Sequence, residues 1–387
     1  MILSGRSGGV GTSASQMPSM RSAEDSVPGR ERQVIECAAQ SRTIAVMSCP
    51  DHEPTSDRPP TPNGDQGDHG HIPVLLDHCL AALAPKPRET FVDCTAGRGG
   101  HAVAFARAVG PTGRVILFDI DAENLAHAAT RVRNDTGREP LAVHANFAGI
   151  TSTLHGLQTD APIKADVVLA DLGFSSTQMD DPRRGFSFGT DGPLDMRLDS
   201  TAAVTAAELL RTLPESDLAD LIFRYGEEPF ARRIARKVVA IREEEPIEST
   251  AQLARLVREA YGPRAHQSRL HPATRTFMAL RIAVNDELGA LRSLLHAIET
   301  GAMAAADGDG HDDSSWLRAG ARIGIISFHS LEDRLVKVGF VDMQRRGLLQ
   351  IQTRKPLVSS ESEAAENPRA RSAKLRVAMV GVPLPAR

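Results

Sequence analysis

The chain has 387 residues, 41% of them hydrophobic and 24% charged, with a formal net charge of −4. That length admits one large domain with an insertion or two ordinary domains, and the composition is that of a soluble globular protein. No apolar run approaches the ~18 residues that a bilayer span requires, which excludes a membrane-spanning class.

Residues 1–70 are rich in Ser, Gly, Pro and Asp and follow neither a helical nor a strand period, so they are expected to form a disordered extension. They hold six basic and nine acidic residues, so most of the net negative charge belongs to them. The remainder is near neutral and can still carry the local basic patch that a nucleic-acid partner needs. Cys37, Cys49, Cys79 and Cys94 lie far apart, without the close pairs of a zinc site or the density of a disulfide scaffold. No metal is expected. With no apolar segment behind Arg6 to serve as a secretory signal, the expected location is the cytoplasm.

From His71 onward short apolar runs alternate with helical stretches, the pattern of a parallel sheet flanked by helices. Strands are predicted at Thr90–Cys94, Arg114–Asp119, Leu141–Ala145, Ala165–Leu172 and Arg322–Phe328, with a further one at Leu375–Val380. Helical pattern fills the long interval between the fourth and fifth strands. Phe277, Leu280, Val284 and Leu288 fall on one face of a helix there. The interval therefore reads as an inserted helical domain, residues 200–287, dividing an α/β domain into parts 71–199 and 288–387. Surface loops are expected at Gly301–Ser315 and Ser359–Asn367.

The segment Phe91-Val-Asp-Cys-Thr-Ala-Gly-Arg-Gly-Gly-His101 is a strand that breaks into a glycine-rich turn and enters a helix predicted over Ala102–Val109. Gly97, Gly99 and Gly100 clear side chains from a close backbone approach, and a helix start presents free N–H groups to a ligand. Asp119 ends the second strand about 20 residues later, the offset at which a carboxylate meets a ribose. Asp93 ends the first strand, where it could hold a methionine amino group through water. A dinucleotide-binding dehydrogenase shares these parts. It would prefer the full G-x-G-x-x-G, whereas Ala102 holds the third position after Gly99, which tilts the balance toward a methyltransferase. Asp171 closes the fourth strand at the sheet edge where a methyl acceptor would approach.

Further segments occur in order along the chain: His71-Ile-Pro-Val-Leu-Leu, Asp171-Leu-Gly-Phe-Ser-Ser-Thr-Gln178, Arg184-Gly-Phe-Ser-Phe188, Asp191-Gly-Pro-Leu-Asp-Met-Arg197 and Tyr225-Gly-Glu-Glu228. They continue with His271-Pro-Ala-Thr-Arg-Thr-Phe277, Ile325-Ile-Ser-Phe-His-Ser-Leu-Glu-Asp-Arg334 and Glu366-Asn-Pro-Arg-Ala-Arg-Ser372. With these motifs the chain resembles the ribosomal RNA small subunit methyltransferase H family, which N4-methylates a cytidine in the decoding region of 16S-type rRNA. The resemblance runs from His71 almost to the C-terminus. It departs at the N-terminal extension and at Thr177, where a proline is common.

The resemblance implies an α/β fold, the Rossmann-like class I S-adenosylmethionine-dependent methyltransferase sheet with an inserted helical domain. It implies S-adenosylmethionine as cofactor, contacted by Gly99, Gly100, His101, Asp119, Phe147, Asp171 and Gln178. The implied partner is 16S rRNA, within the small ribosomal subunit. Arg183, Arg184, Arg197, Arg275 and Arg281, the basic residues inside the motifs, are candidates for substrate binding because guanidinium forks suit phosphate. Arg232, Arg233, Arg236 and Lys237 form a separate cationic helical stretch that reads first as a solvated face.

A cytosine amino nitrogen is a poor nucleophile, since its lone pair is delocalised into the ring. Asp171 or nearby backbone carbonyls are expected to accept its hydrogens and localise that pair. No Asp/Asn-Pro-Pro-aromatic motif is present to supply another base. His329 and Ser330 are expected to orient or support rather than attack, and Glu332 and Asp333 to begin a helix. A non-catalytic RNA-binding module that retains the cofactor pocket is the alternative reading.

Overall fold

A computed structural model describes residues 45–46, 73–159, 161–267, 270–307 and 315–381. Among them eight strands form one sheet: β1 (Ala45–Val46), β2 (Thr90–Asp93), β3 (Arg114–Asp119), β4 (Leu141–His144), β5 (Ala165–Asp171), β6 (Leu317–Ser327), β7 (Leu349–Ile351) and β8 (Lys374–Val380). Their order is β1-β4-β3-β2-β5-β6-β8-β7. The stretch from β4 to β6 is parallel, and β8 runs antiparallel between β6 and β7. This is the class I methyltransferase sheet.

Alternation along each strand builds the core on both faces. Val92, Ile116, Phe118, Val168, Ala170, Ile323 and Ile325 face one side. Phe91, Val115, Leu117, Val167, Leu169 and Ile326 face the other. With both faces covered, the strands are continuous apolar runs that are legible in sequence. Helices α1 (Leu76–Leu83), α2 (Gly100–Val109) and α3 (Ala122–Thr136) contribute Leu83, Phe105 and Leu125 to the second face. On the first lie α4 (Ile150–Gly156), α11 (Glu287–Asp307) and α12 (Ser330–Arg345), through Ile150, Leu291 and Phe340.

Between β5 and β6 come a short helix α5 (Ser176–Asp180) and then α6 (Ala206–Thr212), α7 (Glu215–Gly226), α8 (Ala231–Arg242), α9 (Thr250–Tyr261) and α10 (Ala273–Asn285). Helices α6 to α10 surround a separate apolar cluster drawn from Phe186 to Leu280. Two motifs serve this packing. A Cβ on Gly226 would lie 2.6 Å from the Arg275 carbonyl, so glycine permits α7 and α10 to touch. Glu228 is fully buried, accepting from the Phe230 N–H at 2.8 Å and the Tyr261 hydroxyl at 2.7 Å.

Several expectations are corrected. The Phe277 to Leu288 face is divided between α10 and α11, because Asp286 adopts a left-handed φ of 45° and ends the first helix. Leu288 accordingly packs at the start of α11, whose later residues cover the sheet. Of the expected loop Gly301–Ser315, residues 301–307 are helical and 308–314 lie outside the described residues. The expected loop Ser359–Asn367 contains helix α13 (Glu361–Glu366), N-capped by Ser360. Within the expected disordered extension, Ala45 and Val46 pair with Val143 and His144, and the rest of residues 1–70 lies outside the described residues. Cys37, Cys49, His71 and Ile72 are outside them too. No helix of the described residues is long and apolar enough to cross a membrane.

Candidate active site

Strands β3, β2 and β5 are neighbours, so Asp119, Asp93 and Asp171 end adjacent parallel strands on the same edge of the sheet. The turn after β2 is held by its neighbours: Ala96 N–H donates to the Phe118 carbonyl, and Gly97 N–H to Asp119 Oδ2 at 2.7 Å. The other oxygen of Asp119 accepts the Asp121 N–H at 2.8 Å. Gly97 and Gly99 both take left-handed φ, 50° and 78°, where a side chain is strained. Packing adds a reason for glycine that the ligand alone does not. A Cβ on Gly99 would meet Ala128 Cα of α3 at 3.0 Å, and one on Gly100 would meet the Pro73 ring at 3.0 Å. The helix observed starts at Gly100, two residues earlier than predicted.

A cavity of about 360 Å3 opens above this edge. Gly97, Gly100, His101, Asp119, Phe147, Asp171 and Gln178 all line it, which brings together most of the expected cofactor residues; Gly99 is set back and shapes the turn. Phe147 begins a 3-10 turn capped by Asn146, whose Oδ1 accepts the Ala148 N–H at 2.9 Å. Asp93 is also set back from the cavity wall, where its Oδ1 accepts the Thr95 N–H at 3.1 Å. The Thr95 hydroxyl in turn accepts the Asp171 N–H at 2.7 Å, tying the glycine turn to the end of β5.

The electrostatics of these three carboxyls are unusual. Burial, with the charge of Asp119 added, pushes Asp93 up to about 7, despite the opposing Thr95 hydrogen bond. Burial raises Asp119 to about 6 against its backbone hydrogen bonds. Asp171 is raised well above the usual carboxylate range by burial and then by Asp93 and Glu332. Buried side-chain oxygens of Asp93 and Asp171, Oδ2 and Oδ1 respectively, have no hydrogen-bond partner among the described residues. His101 Nδ1 lies 3.7 Å from Asp171 Oδ2, and its Nε2 is 3.0 Å from the Val74 carbonyl. Buried Asp93, which is coupled to half-buried Asp119 and Asp171 on either side, makes a site whose ionised state calls for a cationic ligand.

Gln178 is placed at the cavity, yet both ends of its amide have internal partners. Its Oε1 accepts the Ser175 N–H at 2.9 Å in a capping box at the start of α5, and its Nε2 donates to Asp121 Oδ2 at 2.9 Å. Thr177 bonds Ser175 Oγ at 2.9 Å. Asp121, which sequence reasoning missed, is the hub here. Its Oδ1 caps α3 through the Glu123 N–H, while Oδ2 takes both Gln178 and Arg184. Its place just after the β3 carboxylate and before a helical run was the available signal.

The arginines divide. Arg184 donates to Asp121 Oδ2 and to the carbonyls of Arg197 and Leu198. Arg197 forks onto Asp195 and reaches the Ala202 carbonyl. Arg275 donates to the Glu227 carbonyl at 3.0 Å. Arg281 forks onto Glu287 at 2.7 and 2.9 Å, with its guanidinium 4.6 Å from the centroid of the Phe174 ring. These four tie loops and helices together. Arg183, in contrast, has an 87% exposed side chain, paired among the described residues with the nearby Asp181.

Beyond Asp171 the cavity wall is formed by Phe174, Arg281, Glu287, Phe328, His329 and Glu332. His329 is the N-cap of α12, with Glu332 closing a capping box, so both acids after it work as expected for a helix start. Asp333 pairs with Arg376 at 2.7 Å and Lys374 at 3.5 Å. The Ser330 hydroxyl donates to Glu227 at 3.2 Å. Glu287 and Glu332 were not expected at the site, because they begin α11 and α12, helices separated in the sequence by β6.

Residues 68–380 match the MraW methylase family. A protein of Geobacter sp. (strain M21) named ribosomal RNA small subunit methyltransferase H is 43% identical over 325 residues, covering 80% of this chain and 98% of that relative. Another of the same name, from Acidobacterium capsulatum, is 43% identical over 310 residues, covering 80% and 97%. A solved SAM-dependent methyltransferase from Aquifex aeolicus aligns at 9% identity and a TM-score of 0.32, covering 79% of this chain and 90% of that one. With the family match spanning β2 to β8 and the cavity at their edge, the chain belongs to the MraW methylase family of S-adenosylmethionine-dependent methyltransferases.

Proposed function

We propose that this enzyme methylates the N4 amino group of a cytidine in the decoding region of 16S rRNA, in the cytoplasm and on RNA of the small ribosomal subunit. The single observation that carries the reading is the cluster of three carboxyls at adjacent strand ends, Asp119 and Asp171 lining one cavity and Asp93 buried behind them. Such a cavity fits a ligand bearing an ammonium and a sulfonium. Relatives that share the chain over nearly their full length carry the name of an rRNA small subunit methyltransferase, which supplies the substrate class.

S-adenosylmethionine, when bound, supplies an electrophilic methyl group. Asp119 and Phe147 are assigned to its nucleoside, with Gly97, Gly100 and the start of α2 at its carboxylate end. Asp171 then has the acceptor role: its carboxylate, at the cavity wall, accepts a hydrogen bond from the amino group and so localises on nitrogen the lone pair otherwise shared with the ring π system. A positive charge held in the cavity would lower the Asp171 carboxyl toward ionisation, the state in which it accepts a proton. Helices α6 to α10 and exposed Arg183 are assigned to the RNA, while Arg184, Arg197, Arg275 and Arg281 hold the shape of the approach.

Mass spectrometry of nucleosides from small-subunit RNA, with and without the gene, tests the assignment. Loss of one N4-methylated cytidine, restored by purified protein and S-adenosylmethionine, is expected. An unchanged nucleoside profile, or restoration of a different methylated base, would refute it.

A further inference from the structure

Among the described residues three phenyl rings line the cavity, those of Phe147, Phe174 and Phe328, and the fold gives them different surroundings. Phe174 is already engaged. Its ring stacks on Phe186, with centroids 5.4 Å apart and planes 3° from parallel, and the Arg281 guanidinium stands 4.6 Å from its centroid. Phe147 follows β4 and is assigned above to the cofactor nucleoside. Phe328 follows β6, is half-buried, and has neither a ring nor a guanidinium stacked on it among the described residues.

Sheet order sets Phe328 apart from Phe147. In the row β4-β3-β2-β5-β6 the two leave strands four steps apart, roughly 19 Å at about 4.8 Å per step. A nucleoside held at the ends of β3 and β4 therefore lies on the opposite flank of the cavity from Phe328. Asp171 is the near neighbour: it ends β5, the strand beside β6, and pairs in register with Ile326, two residues before Phe328.

Backbone contacts fix the ring in that place. The Phe328 N–H donates to Glu332 Oε2 at 2.8 Å, and the Leu172 N–H donates to the Ile326 carbonyl at 3.0 Å, tying the end of β5 to that of β6. Gly173 takes a φ of 109°, and a Cβ there would already touch the Phe328 ring at 3.5 Å, so glycine keeps a side chain away from the ring. Phe328 also packs against the apolar cluster on the second face of the sheet. The rest of its apolar surface is left at the cavity wall, where a stacked ligand would cover it.

We infer that Phe328 is the platform on which the acceptor pyrimidine stacks, a contact that presents the exocyclic amino group to the neighbouring Asp171. The inference rests on the proposed cytidine acceptor and names the residue that holds it. A base must leave its own stack before its amino group can meet a sulfonium, and a phenyl face replaces part of the stacking it has lost. Every base has a π face, so Phe328 supplies affinity and orientation and leaves the choice of base to other groups. The amino hydrogen bond still goes to Asp171.

The test uses full-length protein, S-adenosylhomocysteine, and synthetic decoding-region RNA with either cytidine or an abasic ribose at the acceptor position. Wild type should bind the cytidine RNA at least about tenfold more tightly than the abasic one, the scale of one base–aromatic stack. Phe328→Leu keeps an apolar side chain against the core and removes the π face. It should bind the two RNAs within about threefold of each other, with KM for RNA raised and affinity for S-adenosylhomocysteine unchanged. Phe328→Tyr, which restores a ring, should recover most of the preference. The preference is a ratio within one protein, so a lower melting temperature does not mimic its loss, and Phe328→Met repeats the measurement if the leucine variant does not fold.

A Phe328→Leu protein that keeps the wild-type preference, while wild type forms N4-methylcytidine, would overturn this inference and leave the proposed acceptor standing. Loss of S-adenosylhomocysteine affinity with the RNA preference intact would assign the ring to the cofactor and overturn it equally. A wild type that forms no N4-methylcytidine would remove the proposed acceptor itself.

Discussion

Asp119 Oδ2 accepts the Gly97 N–H at 2.7 Å while its Oδ1 accepts the Asp121 N–H at 2.8 Å, so one carboxylate fixes both the glycine turn and the loop after β3. Asp119→Asn replaces one acceptor by a donor and sets it against a backbone N–H. Leaving such a buried group unsatisfied costs about 1–3 kcal/mol. Calorimetry should therefore show cofactor affinity falling about ten- to hundredfold, and affinity within threefold of wild type would refute this coupling.

Asp171 presents the opposite case. Burial, then the charges of Asp93 and Glu332, oppose its ionisation, so Asp171→Asn removes a source of strain in the free protein. The variant should melt at or above the wild-type temperature and bind cofactor more weakly, because cation binding and Asp171 ionisation are linked. Single-turnover methyl transfer should fall by about 10²-fold or more, the range for loss of a positioned proton acceptor. Near-normal transfer would exclude Asp171 from the chemistry.

The pH dependence follows from Asp93 at about 7 and Asp119 at about 6. Both lie above the ordinary value of about 3.9, so between about pH 4 and 7 the folded chain holds protons that the unfolded chain has lost. Their contribution to stability therefore declines as pH rises through that window. A cationic ligand favours the ionised carboxyls, and its affinity should rise from pH 5.5 to 7.5 with proton release. Titrations in two buffers of different ionisation heat measure that release, and Asp93→Asn should reduce it; a flat profile would contradict the electrostatic account.

Gln178 supports the site through Ser175 and Asp121. Gln178→Glu would place a carboxylate 2.9 Å from Asp121 Oδ2, and like charges at that separation are destabilising. Thermal melts should show a clear loss for this variant, with Gln178→Ala intermediate. A pure cofactor contact would instead lower affinity and leave the melt alone.

Arg183 is exposed and, among the described residues, paired with Asp181. Arg183→Ala should leave the melting temperature unchanged and weaken RNA binding. If one phosphate contact is lost, the slope of log affinity against log salt should fall by about one. Filter binding across a salt series checks this.

Much of the architecture was legible because parallel strands buried on both faces must be apolar runs, and β3 falls on Arg114–Asp119 as read. Local pattern failed where backbone geometry intervened. The apolar period continues through Val284 to Leu288 without a break, yet the left-handed turn at Asp286 redirects the chain. Nothing in a periodicity count registers one inverted dihedral. The short strand Leu349–Ile351 was also missed, since three residues carry too little pattern to distinguish an edge strand from a turn.

By itself the amino-acid sequence determined the strand and glycine-turn framework, the acidic strand ends and the family, because each depends on residues close together in the chain or on motifs in fixed order. Only the tertiary structure decided which of those groups are available. It committed Gln178, Arg184, Arg197 and Arg281 to internal partners, and it brought Glu287 and Glu332 to the wall beside Asp171. Hydrogen-bond partnership and desolvation arise between residues far apart in sequence, so they exist only once the chain has closed on itself.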